Sequence, residues 1–248
     1  MGQRCCIVVP IYKEKLNSIE ERVLRELLRK LSRFPVCFMA PGNLCLRYYQ
    51  ENFAECKSLS FNMWQANSLS DYNRLMMQPS FYQEFQKYEY ILIFQLDGLL
   101  LQGSEELEVF LDMGYDYIGA PWPEGGYCYY KRIIRGSGHI PILRKLQGET
   151  VCKVGNGGVS LRKVGSMVQF FEEWQSEVET WDKAEDIFIS FFGQKRRCEL
   201  KIAPVEIAEK FSLENDMKDK IEIGATPFAV HKWELYYPEL PEKVGMLT

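Results

Sequence analysis

The chemistry this sequence offers starts with carboxylates. The run Ile91-Leu92-Ile93-Phe94-Gln95-Leu96-Asp97-Gly98 is apolar and strand-like, and it ends in one carboxylate and a glycine. Asp and Gly are turn residues, so a strand followed by a turn accounts for them. The sharper reading is that open α/β sheets hold ligands at the carboxyl ends of their strands, where Asp97 supplies a hard oxygen to a divalent ion. Glu185 and Asp186, in "KAEDIF", stand at the start of a predicted helix. Acids there suit the helix dipole. Two like charges side by side also raise one pKa and prepare a carboxylate to act as a general base. His231, in "AVHKW", is one of only two histidines, the other being His139. A lone histidine serves structure more often than it serves as a ligand. "GNGGVSLR" (155–162) allows close backbone approach. It lacks the Gly-Lys-Ser/Thr ending of a P-loop and comes too late in the chain for a dinucleotide fingerprint.

The elements that must position these residues alternate. "CCIVVPIY" (5–12) is a β-branched first strand. "NSIEERVLRELLRKLS" (17–32) places Ile19, Val23, Leu27 and Leu31 at four-residue steps, an amphipathic helix capped by Asn17 or Ser18 with Glu20 and Glu21 in its first turn. "PVCFMAP" (35–41) and "KSLSFN" (57–62) read as strands, and 68–77 and 80–88 as helices. The strand ending at Asp97 follows. Continuous apolar strands alternating with helices predict a mainly parallel sheet covered on both faces. Beyond it come a helix over 104–114 with Ser104 as cap and Gly114 as stop, and a short strand in "YDYIGAPW" (115–122). The stretch 123–150 is irregular, a place for a lid or acceptor loop. Then come a glycine turn feeding a strand (154–163) and helices over 164–181 and 184–195. Residues 200–215 are mixed, and "PFAVHKWELYY" (227–237) follows.

Length and composition narrow the function. The 248 residues suit one large α/β domain. A net charge of −4 argues against a basic nucleic-acid-binding surface. No C-x-x-C pair occurs among the eight cysteines, so a zinc ribbon is disfavoured, and cysteines inside strand-like runs suggest a reducing, cytoplasmic compartment. "MGQRCCIVVPIY" has too short an apolar part for a signal peptide or a spanning helix, and Cys6 stands where myristoylation wants Ser or Thr.

In chain order, "VVPIY", the strand ending in Asp97, "YDYIGAPW", "GNGGVSLRK", "EDIF" and "HKW" resemble a family of bacterial GT-A-type glycosyltransferases, most of whose members are described only as a domain of unknown function. The resemblance spans about residues 5–235. It implies a GT-A-like (Rossmann-like) α/β fold with a mixed, mainly parallel sheet flanked by helices on both faces. It implies a single domain over 1–248, with about 1–100 holding a nucleotide and about 101–248 an acceptor. Gln95-Leu96-Asp97 matches the family's Asp-x-Asp triplet, so Asp97 matches the metal-touching position while Gln95 departs from the first Asp. His231 matches the late histidine that completes the metal site. Asp186, with Glu185, matches the catalytic acid pair of inverting members. Pro10, Ile11 and Tyr12 match the strand end at the nucleotide base, and Gln95 joins them on the nucleotide. Gly157, Gly158 and Trp122 match the donor and acceptor side.

The implied reaction moves a sugar from a nucleotide-sugar donor to a hydroxyl of a glycan, glycolipid or protein-linked sugar, with a divalent ion (Mn²⁺ or Mg²⁺) at the diphosphate. Mixed oxygen and nitrogen ligation suits Mn²⁺ better than Ca²⁺. Lys131, Arg132 and Arg135 in the central loop are open to two readings, a solvated basic loop or a diphosphate contact, and His139 is an acceptor candidate. No transmembrane segment is expected; peripheral contact with a lipid-linked acceptor is compatible with this. Two rivals remain. A nucleotidyltransferase would want a glycine-rich basic loop after the first strand, where "VPIYKEKLNS" has Lys13 and Lys15 but no glycine. A degenerate transferase that only binds a nucleotide or a partner is favoured by Gln95 alone.

Overall fold

The computed structural model describes residues 4–66, 68–123, 127–129 and 150–245. Its strands are β1 (Cys5–Pro10), β2 (Val36–Pro41), β3 (Lys57–Phe61), β4 (Tyr90–Phe94), β5 (Gly98–Leu100), β6 (Tyr117–Pro121), β7 (Tyr127–Tyr129), β8 (Thr150–Cys152), β9 (Val154–Lys163), β10 (Ser212–Leu213) and β11 (Ala229–His231). Six of them form the main sheet in the order β3-β2-β1-β4-β9-β6. The first four run parallel, and β9 is antiparallel to both β4 and β6.

The apolar runs are continuous because this sheet is covered on both faces. Side chains alternate across it with a period of two. Ile7, Val9, Leu92 and Phe94 face one core, with Val23, Leu24 and Leu27 of the helix Ser18–Lys30. Cys6, Val8, Ile91 and Ile93 face the other, with Leu75 and Met76 of the helix Leu69–Met76 and Phe170 and Phe171 of the helix Val164–Glu173. Each such aliphatic or aromatic side chain contributes about 1.5–3 kcal/mol on burial. Asn17 caps the first helix in a capping box with Glu20, an interaction of about 1 kcal/mol.

β10, β11 and β5 make a smaller sheet, with β11 parallel to β10 and antiparallel to β5. Among the described residues no helix is long and apolar enough to cross a membrane.

Five local expectations change. The strand toward Asp97 ends at Phe94, and Gln95–Asp97 form a turn closed by Gly98 N–H donating to the Gln95 carbonyl at 2.9 Å. The glycine run is no turn: all of Val154–Lys163 is strand, irregular in register against β6 between Ile118 and Pro121. The helix expected over 80–88 is confined to Pro79–Gln83, and that expected over 164–181 is split into Val164–Glu173 and Gln175–Glu179. Gly103, not Ser104, is the N-cap of the helix Ser104–Asp112, because the Ser104 hydroxyl donates instead to the Lys30 carbonyl at 2.9 Å. Lys131, Arg132, Arg135 and His139, and the lid expected over 123–150, lie outside the described residues except at 123, 127–129 and 150.

Candidate functional site

The turn after β4 feeds directly into β5, and β5 pairs with β11 so that Gly98 sits opposite His231. This register brings Asp97 beside the imidazole: Asp97 Oδ1 is 3.1 Å from His231 Nε2. The Gln95 Oε1 is also 3.1 Å from Nε2. The parallel pairing of β10 with β11 sets Glu214, the residue after β10, on the other edge of the ring, with its Oε2 2.7 Å from Nδ1. Asn156 and Lys232 both donate to Glu214, the Lys232 ammonium at 2.9 Å. Lys232 adopts the left-handed conformation, φ 55°. For a side-chain-bearing residue that costs about 1–2 kcal/mol, and such strain collects at functional sites. Gly158 on β9 lies under the ring, where a Cβ would come within 2.0 Å of its Cε1. Only glycine lets β9 pass there.

Two carboxylates give this cluster its electrostatics. Burial by itself would lower the His231 pKa, but the hydrogen bonds to Asp97 and Glu214 overcome it and raise the ring to about 9. Burial works against the ionised form of Asp97, yet His231 and Lys232 hold its pKa below the ordinary value. Groups that favour one positive charge also favour a divalent cation. Two donor atoms about 2.1 Å from one ion, at right angles, stand about 3 Å apart, close to the Asp97–His231 spacing. Glu214 fixes the far ring nitrogen, as an outer carboxylate does in histidine metal sites. Among the described residues no three His, Cys, Asp or Glu side chains form a ready cage. An ion bound by few protein ligands and completed by substrate phosphates needs none. The spacing of Asp97 and His231 therefore fits a divalent ion held by few protein ligands.

Residues of this cluster line two cavities, Gln95 and Asp97 the first, Asn156, Glu214 and Lys232 the second. The first, about 340 Å³, is lined by Pro10, Tyr12, Trp64, Tyr72, Gln95 and Asp97 among others. The second, about 450 Å³, is lined by Trp122, Asn156, Asp186, Glu214, Lys232 and Tyr236 among others. The Trp122 ring packs against β9 at Gly155, where an added Cβ would collide with it.

Asp186 enters the second cavity from the start of the helix Glu185–Phe192. Gly157 N–H donates to its Oδ2 at 3.3 Å and Ile187 N–H to its Oδ1 at 2.7 Å. Burial first, and the charge of Glu185 second, push its pKa up to about 7. Glu185 points the other way, into the sheet's core. There the Arg162 guanidinium donates to it at 2.9 Å, to the Tyr82 hydroxyl at 3.0 Å and to the Ser160 hydroxyl at 3.0 Å. Arg162 is fully buried. Gly157 completes the clamp, since a Cβ there would come within 2.7 Å of Glu185 Oε1.

Of the residues singled out in the sequence, the structure gathers Asp97, His231 and Gln95 in one cluster, with Pro10 and Tyr12 on the adjoining cavity. Asp186 and Trp122 share the second cavity. Ile11 is not with them: it is buried in the core, its N–H donating to the Met39 carbonyl at 2.8 Å. Glu185 faces Arg162 rather than a cavity, and Gly157 and Gly158 act by leaving room. Glu214, Lys232 and Arg162 escaped sequence reasoning. An arginine inside an apolar strand run was a signal for the last. Nothing local distinguishes Glu214, whose neighbour His231 is brought to it only by the pairing of β10 with β11.

A family model described as "Protein of unknown function (DUF5672)" matches residues 55–231. No curated protein matches the sequence. Several solved structures share the fold. Mouse xyloside xylosyltransferase 1 in its apo form superposes with a TM-score of 0.52 at 12% identity, over 93% of this chain and 97% of that one. A glycosyltransferase involved in glycosylation of the major capsid of PBCV-1 gives 0.52 at 12% identity, over 98% and 100%. The bifunctional glycosyltransferase WbbM gives 0.57 at 10% identity, with this chain covering 46% of its length. These likenesses show the fold, which is that of GT-A glycosyltransferases.

Proposed function

Since the chain belongs to the family described as "Protein of unknown function (DUF5672)", we propose from the geometry of its own site that it is an inverting glycosyltransferase, moving a sugar from a nucleotide-sugar donor to a hydroxyl of a glycan or glycoconjugate. One observation carries the reading. A cation-favouring pair, Asp97 and His231, stands beside a cavity with aromatic walls, and Glu214, which holds His231, lines a second cavity together with a carboxyl of raised pKa. In this reading residues 1–248 act as one domain, with the first hundred or so on the donor side and the rest on the acceptor side.

Pro10, Tyr12, Gln95 and Asp97 bind the nucleotide. Asp97 and His231 hold a divalent ion, Mn²⁺ or Mg²⁺, which when bound neutralises charge on the departing diphosphate. Lys232, on the rim of the second cavity, adds a fixed positive charge. The acceptor sugar lies against Trp122, with its hydroxyl at Asp186. The acceptor oxygen forms a bond to the anomeric carbon as the bond from that carbon to the diphosphate breaks. The leaving diphosphate takes the electron pair, and Asp186 takes the acceptor's proton. Glu185 and Glu214 are already engaged, by Arg162 and by His231 with Lys232. Asp186 is thus the carboxyl left for proton transfer, which favours a single displacement with inversion.

Thermal unfolding with nucleoside diphosphates, with and without Mn²⁺, tests the donor side. A ligand at 100 times its Kd adds about 2.7 kcal/mol, a rise of roughly 5–10 °C for a domain of this size. The expected result is a Mn²⁺-dependent rise that Asp97→Ala abolishes. A chain indifferent to every nucleotide would sink the proposal.

The pH profile tests the base. A general base works deprotonated, so kcat/KM is expected to rise with pH through about 7. The charged or titratable groups around Asp186 are Glu185 on its own helix, Arg162 on β9, Tyr117 on β6, and Glu214 and Lys232 across the cavity. Of these, Glu185 raises its pKa and Arg162 lowers it. Glu185→Gln is therefore expected to move the acidic limb to lower pH. An unmoved limb would show that another group controls it.

A further inference from the structure

We infer that Gln95 keeps the cation pair weak on its own, so that Mn²⁺ is held firmly only together with a diphosphate; this rests on the sugar-nucleotide reading of the first cavity and deepens it. Its neutral amide stands where a second carboxylate could serve the ion.

The amide is held from three sides. The Gln95 N–H donates to the Gly158 carbonyl on β9 at 2.9 Å, and the Gln95 carbonyl accepts from Gly98 N–H at 2.9 Å, which pins the backbone. The side chain then bridges two elements. Nε2 donates to the Tyr72 hydroxyl at 3.3 Å, and Oε1 stands 3.1 Å from His231 Nε2. Asp97 Oδ1 stands 3.1 Å from the same nitrogen. Position 95 thus meets the edge of the ring where Asp97 and His231 would share an ion. It meets that edge with a carbonyl oxygen, which carries no net charge.

The charge available to an ion there is small. Among the described residues, Asp97 is the one charged side chain on the first cavity's lining. Glu214 sits at the far ring nitrogen, and its other oxygen accepts from the Lys232 ammonium at 2.9 Å, so its charge is already matched. Hard divalent cations draw their affinity from ionised oxygens, those of carboxylates or of substrate phosphates. One carboxylate and one imidazole leave one of the ion's two charges uncompensated, and a diphosphate supplies the rest. A carboxylate at position 95 would remove that need. Gln95→Glu keeps the side chain's length and trades Nε2 for an oxygen, which the Tyr72 O–H can turn to meet.

The test uses the full chain and two titrations. The paramagnetic resonance signal of free Mn²⁺ reads the affinity for Mn²⁺ alone. Isothermal titration with UDP and with GDP, each with and without Mn²⁺, reads the coupling, which by linkage equals the factor by which the nucleotide tightens Mn²⁺. For the nucleotide that binds, the expected coupling in the parent is at least tenfold. Gln95→Glu is expected to bind Mn²⁺ alone at least tenfold tighter than the parent, and to bind the nucleotide more weakly when Mn²⁺ is left out. Gln95→Asp is the second acidic variant, used if thermal unfolding shows that Gln95→Glu does not fold. A parent that holds Mn²⁺ equally well with and without nucleotide would overturn the inference while leaving the glycosyltransferase proposal intact. Folded acidic variants with no gain in affinity for Mn²⁺ alone would overturn it too. If neither nucleotide binds, with or without Mn²⁺, the donor site itself falls, and the inference with it.

Discussion

Asp186→Asn is expected to lower kcat by about 10²–10⁴-fold, the usual contribution of a positioned general base. Nucleotide affinity is expected to stay within threefold, because Asp186 lines the second cavity and not the first. The substitution is nearly isosteric, but an amide has one acceptor oxygen, so of the Gly157 and Ile187 N–H groups that now donate to Asp186 only one keeps its partner. The amide carries no charge beside Glu185, so the repulsion that raises the Asp186 pKa disappears. The lost acceptor and the lost repulsion act in opposite directions, so the variant's melting temperature should stay close to the parent's. The measurement is steady-state turnover beside a titration with the nucleotide identified by thermal unfolding. A loss of less than tenfold would remove Asp186 from proton transfer. Equal losses in turnover and nucleotide affinity would point instead to a distorted site.

Arg162→Met is expected to be the most destabilising conservative-volume change in the protein. The Arg162 and Glu185 side chains are 0% and 6% exposed. Removing one partner of such a pair strands the other charge in the core, at a cost of about 3–5 kcal/mol. For a chain of this length that is a fall of roughly 6–20 °C in Tm. The double variant Arg162→Met with Glu185→Met is expected to recover most of the loss, since well-packed apolar replacement of a buried pair is often close to neutral. The recovered variant is stable yet has lost the group that raises the Asp186 pKa after burial. Its acidic limb should therefore lie below the parent's yet above that of Glu185→Gln, which keeps the lowering charge of Arg162. Thermal unfolding of the two single variants and the double settles the matter. A single-variant cost below about 1 kcal/mol would mean that water or a neighbour compensates Glu185.

What the sequence conveys about this site depends on how far apart in the chain the cooperating residues lie. Strand and helix types are local properties, so β1, β2, β3 and the helix Ser18–Lys30 are legible from apolar period and capping residues. Asp97, Asp186 and His231 are legible as candidates because each stands at a strand end or helix start, where side chains reach a ligand. Their meeting is not legible, because it depends on β5 pairing with β11 and on β9 running antiparallel between β4 and β6. The glycines of 155–158 misled for a physical reason. They suggest a turn, but here they thin a strand so that Trp122, Glu185 and the His231 ring can pack against it. Ile11 shows the limit of motif matching: adjacent to Pro10 and Tyr12, it alternates to the opposite face and into the core.

The pairing of Gly98 with His231 also has a consequence for how the protein acquires its site. β1, β2 and β3 assemble from near neighbours in the chain, whereas β5 and β11 must find each other across more than half of it. Contacts of such long sequence separation close slowly, because the chain entropy is lost before the contact is gained. A chain with its parallel strands in place but β11 still unpaired would have the aromatic wall of the first cavity and Asp97, with no histidine beside it. If the chain works as proposed, its competence for glycosyl transfer is thereby tied to completion of folding.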